Sequence, residues 1–511
     1  MNSSESRPGA LVDAATPRRR FRFRRARGAG GSGAKKTGAQ LVWGVADQGL
    51  SSATNFGLSF LAGRLLGPSG LGVIFLGFSA YLIAFSFVRA LVIEPFVVAT
   101  AARDRTEREA ATRVCLTLVL GVAAVLTVSM ALIGVALGGA LGRSLIVFSP
   151  WVALALVQEL WRASLFRDQR GRGAAINDGV WAAGMLVMLP LAWLFPSEWM
   201  IAATWGVGAA AAAIFGVFQL RVRPASLGKA LRWWTTELRV LGSWLAIENL
   251  ILTFGNQALV FVLAAQLGTG DLGGIRAVEV VFAPMSLFGE AFAFPGTPIV
   301  ARALASSLAE ARRWAWRLSL GASALIALYF ALTIPVRGRL LATVFGPDFR
   351  TFARLALPLA LAQLLRAAAT GFALLNRADR RVHALITSRV INTGSTLVLT
   401  PLFAWQFGVM GAVVGLALGS TLGSMCDIGF GMLSGDIGLT IFTREPAVVA
   451  AVAGDADQGA EAATELRRLV DTLEASGTDE PESVIGGVSA DARRRQLRLR
   501  PRRPTRDGGA T

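Results

Sequence analysis

The chain has 511 residues; 53% are hydrophobic, 16% are charged, and lysine plus arginine outnumber aspartate plus glutamate by 51 to 33. Soluble domains carry about 25% charged residues, so this balance excludes a water-soluble protein of such size and points to a polytopic membrane protein. Two cysteines (Cys115, Cys426) and one histidine (His383) exclude a disulfide scaffold and a Cys/His metal centre.

The chain opens with a basic tail over 1–39, in which Arg18–Arg20, Arg22, Arg24, Arg25, Arg27, Lys35 and Lys36 lie among Gly and Ser. It reads as disordered and cytoplasmic, and not as a cleaved signal. Twelve apolar runs follow, each near the roughly 20 residues that cross about 30 Å of hydrocarbon as a helix. They cover 40–62, 72–93, 114–137, 145–165, 174–195 and 200–220, then 240–265, 273–295, 314–336, 352–375, 384–405 and 409–433. A basic linker at 221–239 separates two sets of six. A tail over 435–511 has an acidic middle and a basic end, with one expected amphipathic helix at 460–475.

Loops that stay in the cytoplasm are rich in Arg and Lys, and alternate loops here are basic. They carry Arg103, Arg105, Arg108 and Arg113; Arg167, Arg170 and Arg172; Arg221, Arg223, Lys229 and Arg232; Arg302, Arg312 and Arg313; and Arg377, Arg380 and Arg381. The intervening loops are short and nearly neutral, apart from one with Arg337, Arg339 and Arg350. Both termini are therefore expected in the cytoplasm. A shift of 201 residues lays the first span on the seventh. Trp43 falls on Trp244, Asn55 on Asn256, Leu58 on Leu259, Phe60 on Phe261, Leu66-Gly67 on Leu267-Gly268 and Leu71-Gly72 on Leu272-Gly273; Asp47 falls on Glu248 and Gln48 on Asn249. Both spans run in one direction, so the expected fold is all-α, with two six-helix lobes (40–220 and 240–434) related by a parallel pseudo-two-fold axis along the membrane normal.

A charge at the bilayer centre costs about 2.5–3.5 kcal/mol on insertion scales and is expected to face an aqueous interior. Asp47, Gln48, Ser51, Ser52, Asn55 and Ser59 form a polar stripe on the first span, repeated more sparsely by Glu248, Asn249, Thr253, Asn256 and Gln257 on the seventh. On the eighth, Arg276 and Glu279 share a face and are spaced to pair; Glu290 lies deeper. Asp47, Glu248 and Arg276 are expected at a cavity. Asn55 and Asn256 fit helix-to-helix glue and cavity binding equally well. Arg89, Glu94, Glu159 and Arg162 are expected to snorkel at span ends, and Asn177 and Asp178 to cap or anchor the start of the fifth span. Trp43, Trp151, Trp199 and Trp244 are expected as interfacial anchors.

The run W-G-V-A-D-Q-G-L-S-S-A-T-N-F…R-L-L-G-P-S-G-L-G (43–72), with R-A-L-V-I-E-P (89–95), G-I-R-A-V-E-V-V-F-A-P (274–284) and V-F-G-P-D-F (344–349), resembles bacterial polysaccharide-biosynthesis membrane proteins. These are the O-antigen and teichoic-acid exporters of the multidrug/oligosaccharidyl-lipid/polysaccharide (MOP) exporter superfamily. The resemblance covers about 40–433. It implies two six-helix lobes around a cationic cavity that passes a polyprenyl-pyrophosphate-linked glycan across the bacterial plasma membrane by alternating access. The related peptidoglycan-precursor flippases usually have fourteen spans and use arginines in the first, second and eighth helices. Arg276 matches the eighth-helix arginine, whereas the first helix here offers Asp47.

On this reading Arg276, Arg89, Arg366 and Arg64 contact phosphate, and Gln48, Asn55, Asn249, Asn256 and Gln257 contact sugar hydroxyls. Asp47, Glu248, Glu279 and Glu290 couple transport to H+ or Na+, with no cofactor and no resident metal. The expected partners are the lipid-linked glycan, membrane lipids and other polysaccharide-assembly proteins, and not nucleic acid. A cation-coupled multidrug exporter of the same fold is the main alternative; it would need an acidic, aromatic cavity. A membrane-embedded glycosyltransferase or polymerase fits less well, because the first external loop (64–71) has no acid and no external loop is long enough for a domain.

Overall fold

The computed structural model describes residues 30–249, 253–379 and 381–433. The tail before residue 30 and the segment from 434 onward, including the amphipathic helix expected at 460–475, lie outside the described residues. The described residues contain no strand. Nine of their helices are long and apolar enough to cross a membrane.

Helix α1 (Gly30–Val88) begins inside the stretch read as a disordered tail and carries the first two spans. It breaks at Gly67, where φ is 70° and ψ is −168°, a conformation that a Cβ would oppose. Pro68 follows, and its missing N–H costs nothing at the start of the next helical run. A π-helical turn (Arg89–Ile93) and α2 (Glu94–Thr100) end that segment. Then come α3 (Arg105–Leu137), α4 (Gly139–Arg167), α5 (Gly171–Leu194) and α6 (Glu198–Leu220). Asp104 caps α3 by accepting from the Glu107 N–H at 2.9 Å, and Ser197 caps α6 through the Met200 N–H at 3.2 Å. Their packing buries Phe148, Trp161 and Trp205 in one core, with the Trp161 indole donating to the Ala213 carbonyl at 3.0 Å. Trp151, expected as an interfacial anchor, instead packs its ring against Gly206, where a Cβ would lie 2.0 Å from it.

The linker forms α7 (Leu227–Trp233) and a second π-helical turn (Trp234–Leu238). It is stitched to the first lobe by an Arg103–Glu237 ion pair and by the Trp234 indole, which donates to the Leu91 carbonyl at 3.4 Å. The second lobe comprises α8 (Arg239–Asn249), α9 (Gly255–Phe282), α10 (Pro284–Ser306), α11 (Leu308–Thr333), α12 (Arg337–Val344), a 3-10 segment (Pro347–Leu355), α13 (Ala356–Ala378) and α14 (Val382–Met432). Helix α9 breaks at Gly268 (φ 82°), the repeat mate of Gly67, and α14 folds into a hairpin at Gly408 (φ 61°). Gly411, Gly415, Gly419 and Gly423 let the hairpin arms meet at Phe403, Leu399, Thr396 and Asn392. Asn392 donates to the Ser420 carbonyl at 3.4 Å within this seam, a packing role.

The basic loops hold more than topogenic charge. The Arg167 side chain is 2% exposed; it donates to Asp168 Oδ1 at 3.0 Å and to the Thr100 and Thr112 hydroxyls at 3.2 Å each, and it stacks on Phe96.

Candidate functional site: a cavity between the lobes

The two lobes meet where α1 crosses α9. Between α1, α9 and α14 lies a cavity of about 270 Å³. Its walls are mostly apolar, with Leu82, Leu259, Leu263, Leu272, Ile275 and Val413 among them. Its polar atoms come from Asn256, Gln257, Arg276, Glu279 and Thr396. Helical spacing explains the set: Arg276 and Glu279 are one turn apart, and Arg276 Nη1 donates to Glu279 Oε2 at 3.3 Å, the pairing expected from i,i+3. The Arg276 guanidinium also lies 4.6 Å from the centre of the Phe75 ring, within cation–π range. Its Nε has no hydrogen-bond partner among the described residues, and neither does the buried Thr396 hydroxyl.

Phe75 and Arg276 stand 201 residues apart. They are repeat mates, and mates can touch only on the axis that relates them. Phe78 and Glu279 are also mates. Phe78 packs instead on Tyr81, Phe148 and Trp205 in the first lobe, so the repeat presents one aromatic ring, Phe75, to the ion pair of the other lobe.

A second polar cluster lies inside the first lobe. Asp47, 1% exposed, accepts from Arg162 through Oδ2, with Nε at 2.7 Å and Nη2 at 2.6 Å. Arg162 also reaches Glu159 Oε2 at 3.2 Å and Asp178 Oδ2 at 3.9 Å. Gln158 donates to Asp178 Oδ1 at 2.7 Å and Asn177 Oδ1 at 3.1 Å, while Asn177 donates to the Ala212 carbonyl at 3.0 Å. Arg89, bonded to Glu94 at 2.8 Å, lies 3.9 Å from Glu159.

Several expectations change here. Glu159 is buried and Arg162 is largely so, so this pair holds the lobe together and does not snorkel. Asn177 and Asp178 lie two turns inside α5, which starts at Gly171 without a side-chain cap. Asp47 reaches Arg162 and is absent from the cavity wall. Of the four arginines assigned to phosphate, only Arg276 lines the cavity; Arg64 and Arg366 are exposed elsewhere, and Arg89 is tied to Glu94. Of the sugar-contact set, Asn256 and Gln257 line it, while Gln48 and Asn55 do not. Glu279 lines it too, as Arg276's partner. Glu248 and Asn249 on α8 and Glu290 on α10 are placed by backbone only; their side chains lie outside the described residues.

Phe75 escapes the sequence reading, which places Arg162 only as a snorkelling residue at a span end. Carrying the 201-residue shift one turn past Gly72 would have set Phe75 opposite Arg276. The spacing of Glu159 and Arg162 on one helix was the available hint for Arg162.

No family profile and no curated protein matches the chain. Solved structures do. The lipid II flippase MurJ in an inward-closed conformation aligns with a TM-score of 0.59 at 10% identity, over 76% of this chain and 87% of that one. A multidrug-resistance MATE transporter of the MOP superfamily, facing inward, aligns with a TM-score of 0.60 at 12% identity, over 74% and 93%. A MOP-superfamily transporter from Pyrococcus furiosus, described as having a binding pocket of reversed polarity, aligns with a TM-score of 0.53 at 12% identity, over 77% and 93%. The chain has the MOP exporter fold. The likeness spans both lobes of a MOP exporter, and the chain is a multi-pass membrane protein of that architecture.

Proposed function

We propose that this chain is a MOP-type transporter that moves a polyprenyl-pyrophosphate-linked oligosaccharide across the bacterial plasma membrane by alternating access. The observation that carries the reading is Arg276. It is a guanidinium at the pseudo-two-fold axis, in a mostly apolar cavity, bonded to Glu279 through Nη1, with Nε unpartnered among the described residues and the amides of Asn256 and Gln257 on the same wall. Such a wall suits a ligand with an anionic, hydroxyl-bearing head and an apolar tail: the guanidinium replaces phosphate hydration and the amides replace that of the first sugar. Ligand pockets usually exceed about 300 Å³, so the cavity in this state accommodates the phosphate end, and the rest of the glycan needs the lobes to part. The energy input is assigned to H+ or Na+ entering the Asp47 cluster, where Asp47 Oδ1 is buried without a partner among the described residues. Membrane lipids and other polysaccharide-assembly proteins complete the proposed partners.

One observation favours a second reading, a cation-coupled multidrug exporter. The first lobe surrounds one guanidinium, Arg162, with three carboxylates, an acid excess that would attract cations.

The test is a strain lacking the gene, with lipid-linked glycans measured by mass spectrometry. The proposal expects one completed lipid-linked oligosaccharide to accumulate, and wild-type protein but not Arg276→Ala to clear it. An unchanged lipid pool together with new sensitivity to lipophilic cations would replace it with the second reading.

A further inference from the structure

The lobes also touch on the face opposite the basic loops, and there the contact obeys the repeat atom by atom. A Cβ built on Gly72 would lie 1.9 Å from the Thr269 carbonyl oxygen, and one built on Gly273 would lie 1.9 Å from the Pro68 carbonyl oxygen. Gly72 and Gly273 are mates at the 201-residue shift, as are Pro68 and Thr269. Residue i of one lobe thus meets residue j of the other while j meets i, the signature of an isologous interface. Ser69 and Gly270, a third pair of mates, meet each other: a Cβ on Gly270 would lie 3.3 Å from Ser69 Oγ. The same axis continues inward to the Phe75–Arg276 stack. Gly67 and Gly268, both at positive φ, turn each lobe's backbone into this contact.

We infer that this contact is a gate: two carbonyl oxygens seated on two glycine Cα atoms form the removable seal between the cavity and the face opposite the basic loops, and glycine is required at 72 and 273 for it to shut. The chemistry suits a seal that opens. No hydrogen bond or ion pair among the described residues bridges these four positions, so parting them breaks only van der Waals contact and close backbone packing. A methyl group at either glycine would collide with backbone, which cannot swing aside as a side chain can. Because the contact is isologous, one methyl on either lobe props open the whole seam. On the basic-loop face the lobes meet differently: Gly242 of α8 faces the Leu91 carbonyl, with a Cβ distance of 2.4 Å, and the repeat mate of this glycine is Leu41. The inference rests on the alternating-access part of the proposed function and is independent of the cargo.

The test uses the full chain in oriented proteoliposomes, with Cys115 and Cys426 replaced by Ser and one reporter, Gln257→Cys, on the cavity wall. A membrane-impermeant maleimide is added from the side opposite the basic loops. Gly72→Ala and Gly273→Ala are each expected to raise the labelling rate about tenfold, the size of a modest population shift, and by similar factors. Gly242→Ala, on the other face, is expected to leave this rate unchanged or lower it. As a check that needs no bulky substitution, Ser69→Cys with Gly270→Cys replaces the pair in which a Gly270 Cβ would lie 3.3 Å from Ser69 Oγ, a contact close enough to test for a disulfide. Oxidation should cross-link them within one chain and suppress labelling of the reporter, and reduction should restore it. Folded alanine variants that label at the wild-type rate, or a cross-linked protein that labels as fast as the reduced one, would overturn the gate. An unchanged lipid-linked glycan pool in the deletion strain would remove the proposed cargo and leave these labelling results standing.

Discussion

The two lobes share a backbone plan and part company in where they keep their charges. In the first lobe Asp47, Glu159 and Asp178, with side chains 1%, 8% and 6% exposed, close around an Arg162 side chain that is itself 20% exposed. In the second, Arg276 and Glu279 stand at a cavity wall, 23% and 34% exposed. The two arginines are about equally exposed, so what separates them is their partners. A guanidinium held by three buried carboxylates fixes helix positions. A guanidinium with one open edge at a cavity is available to a ligand.

That contrast can be broken experimentally, and the largest effect is expected in the first lobe. Arg162→Ala would strand three buried carboxylates; removing one partner of a buried ion pair costs about 3–5 kcal/mol. Thermal unfolding in detergent should show a large loss, and Arg162→Leu with Asp47→Leu should recover part of it. If Arg162→Ala unfolds at the wild-type temperature, the cluster is not structural. Arg276→Ala is expected to act the other way: unfolding close to wild type, but substrate transport down about tenfold or more, equivalent to about 1.4 kcal/mol. A smaller effect should follow Phe75→Leu. It removes a cation–π contact worth about 0.5–2 kcal/mol and should weaken transport several-fold, while Phe75→Trp preserves it; identical transport by both variants would separate the ring from Arg276's task. The smallest change is expected for Glu279→Gln. A partly exposed pair contributes about 0–1 kcal/mol, so stability should hold, and a loss as large as that of Arg162→Ala would erase the distinction between the lobes.

Much of this architecture is legible in the sequence. Hydropathy places the spans because lipid leaves the backbone no hydrogen-bond partner but itself. The glycines at 67 and 408 fall between apolar runs, where the structure breaks α1 and α14. The 201-residue shift finds the mates Gly67 and Gly268, whose shared positive φ shows why those letters recur. The pairing of Arg276 with Glu279 is readable because it is local. The Asp47–Arg162 bond is not, since it joins residues 115 positions apart, and the sequence alone assigns Asp47 to a cavity and Arg162 to a span end. Asp178 misled for a related reason: capping rules weigh residues near a helix start, and the sequence does not reveal that α5 begins two turns earlier. Phe75 is invisible to any search for polar residues, because its role comes from standing on the axis opposite an arginine.

The most direct test of the account compares two arginines in one assay. Wild-type, Arg276→Ala and Arg162→Lys proteins would be reconstituted with a fluorescent polyprenyl-pyrophosphate-linked disaccharide, and its appearance on the opposite leaflet timed. The account predicts that Arg276→Ala loses most transport while unfolding like wild type, and that Arg162→Lys unfolds at a lower temperature yet still transports. Wild-type transport by a folded Arg276→Ala protein would contradict it.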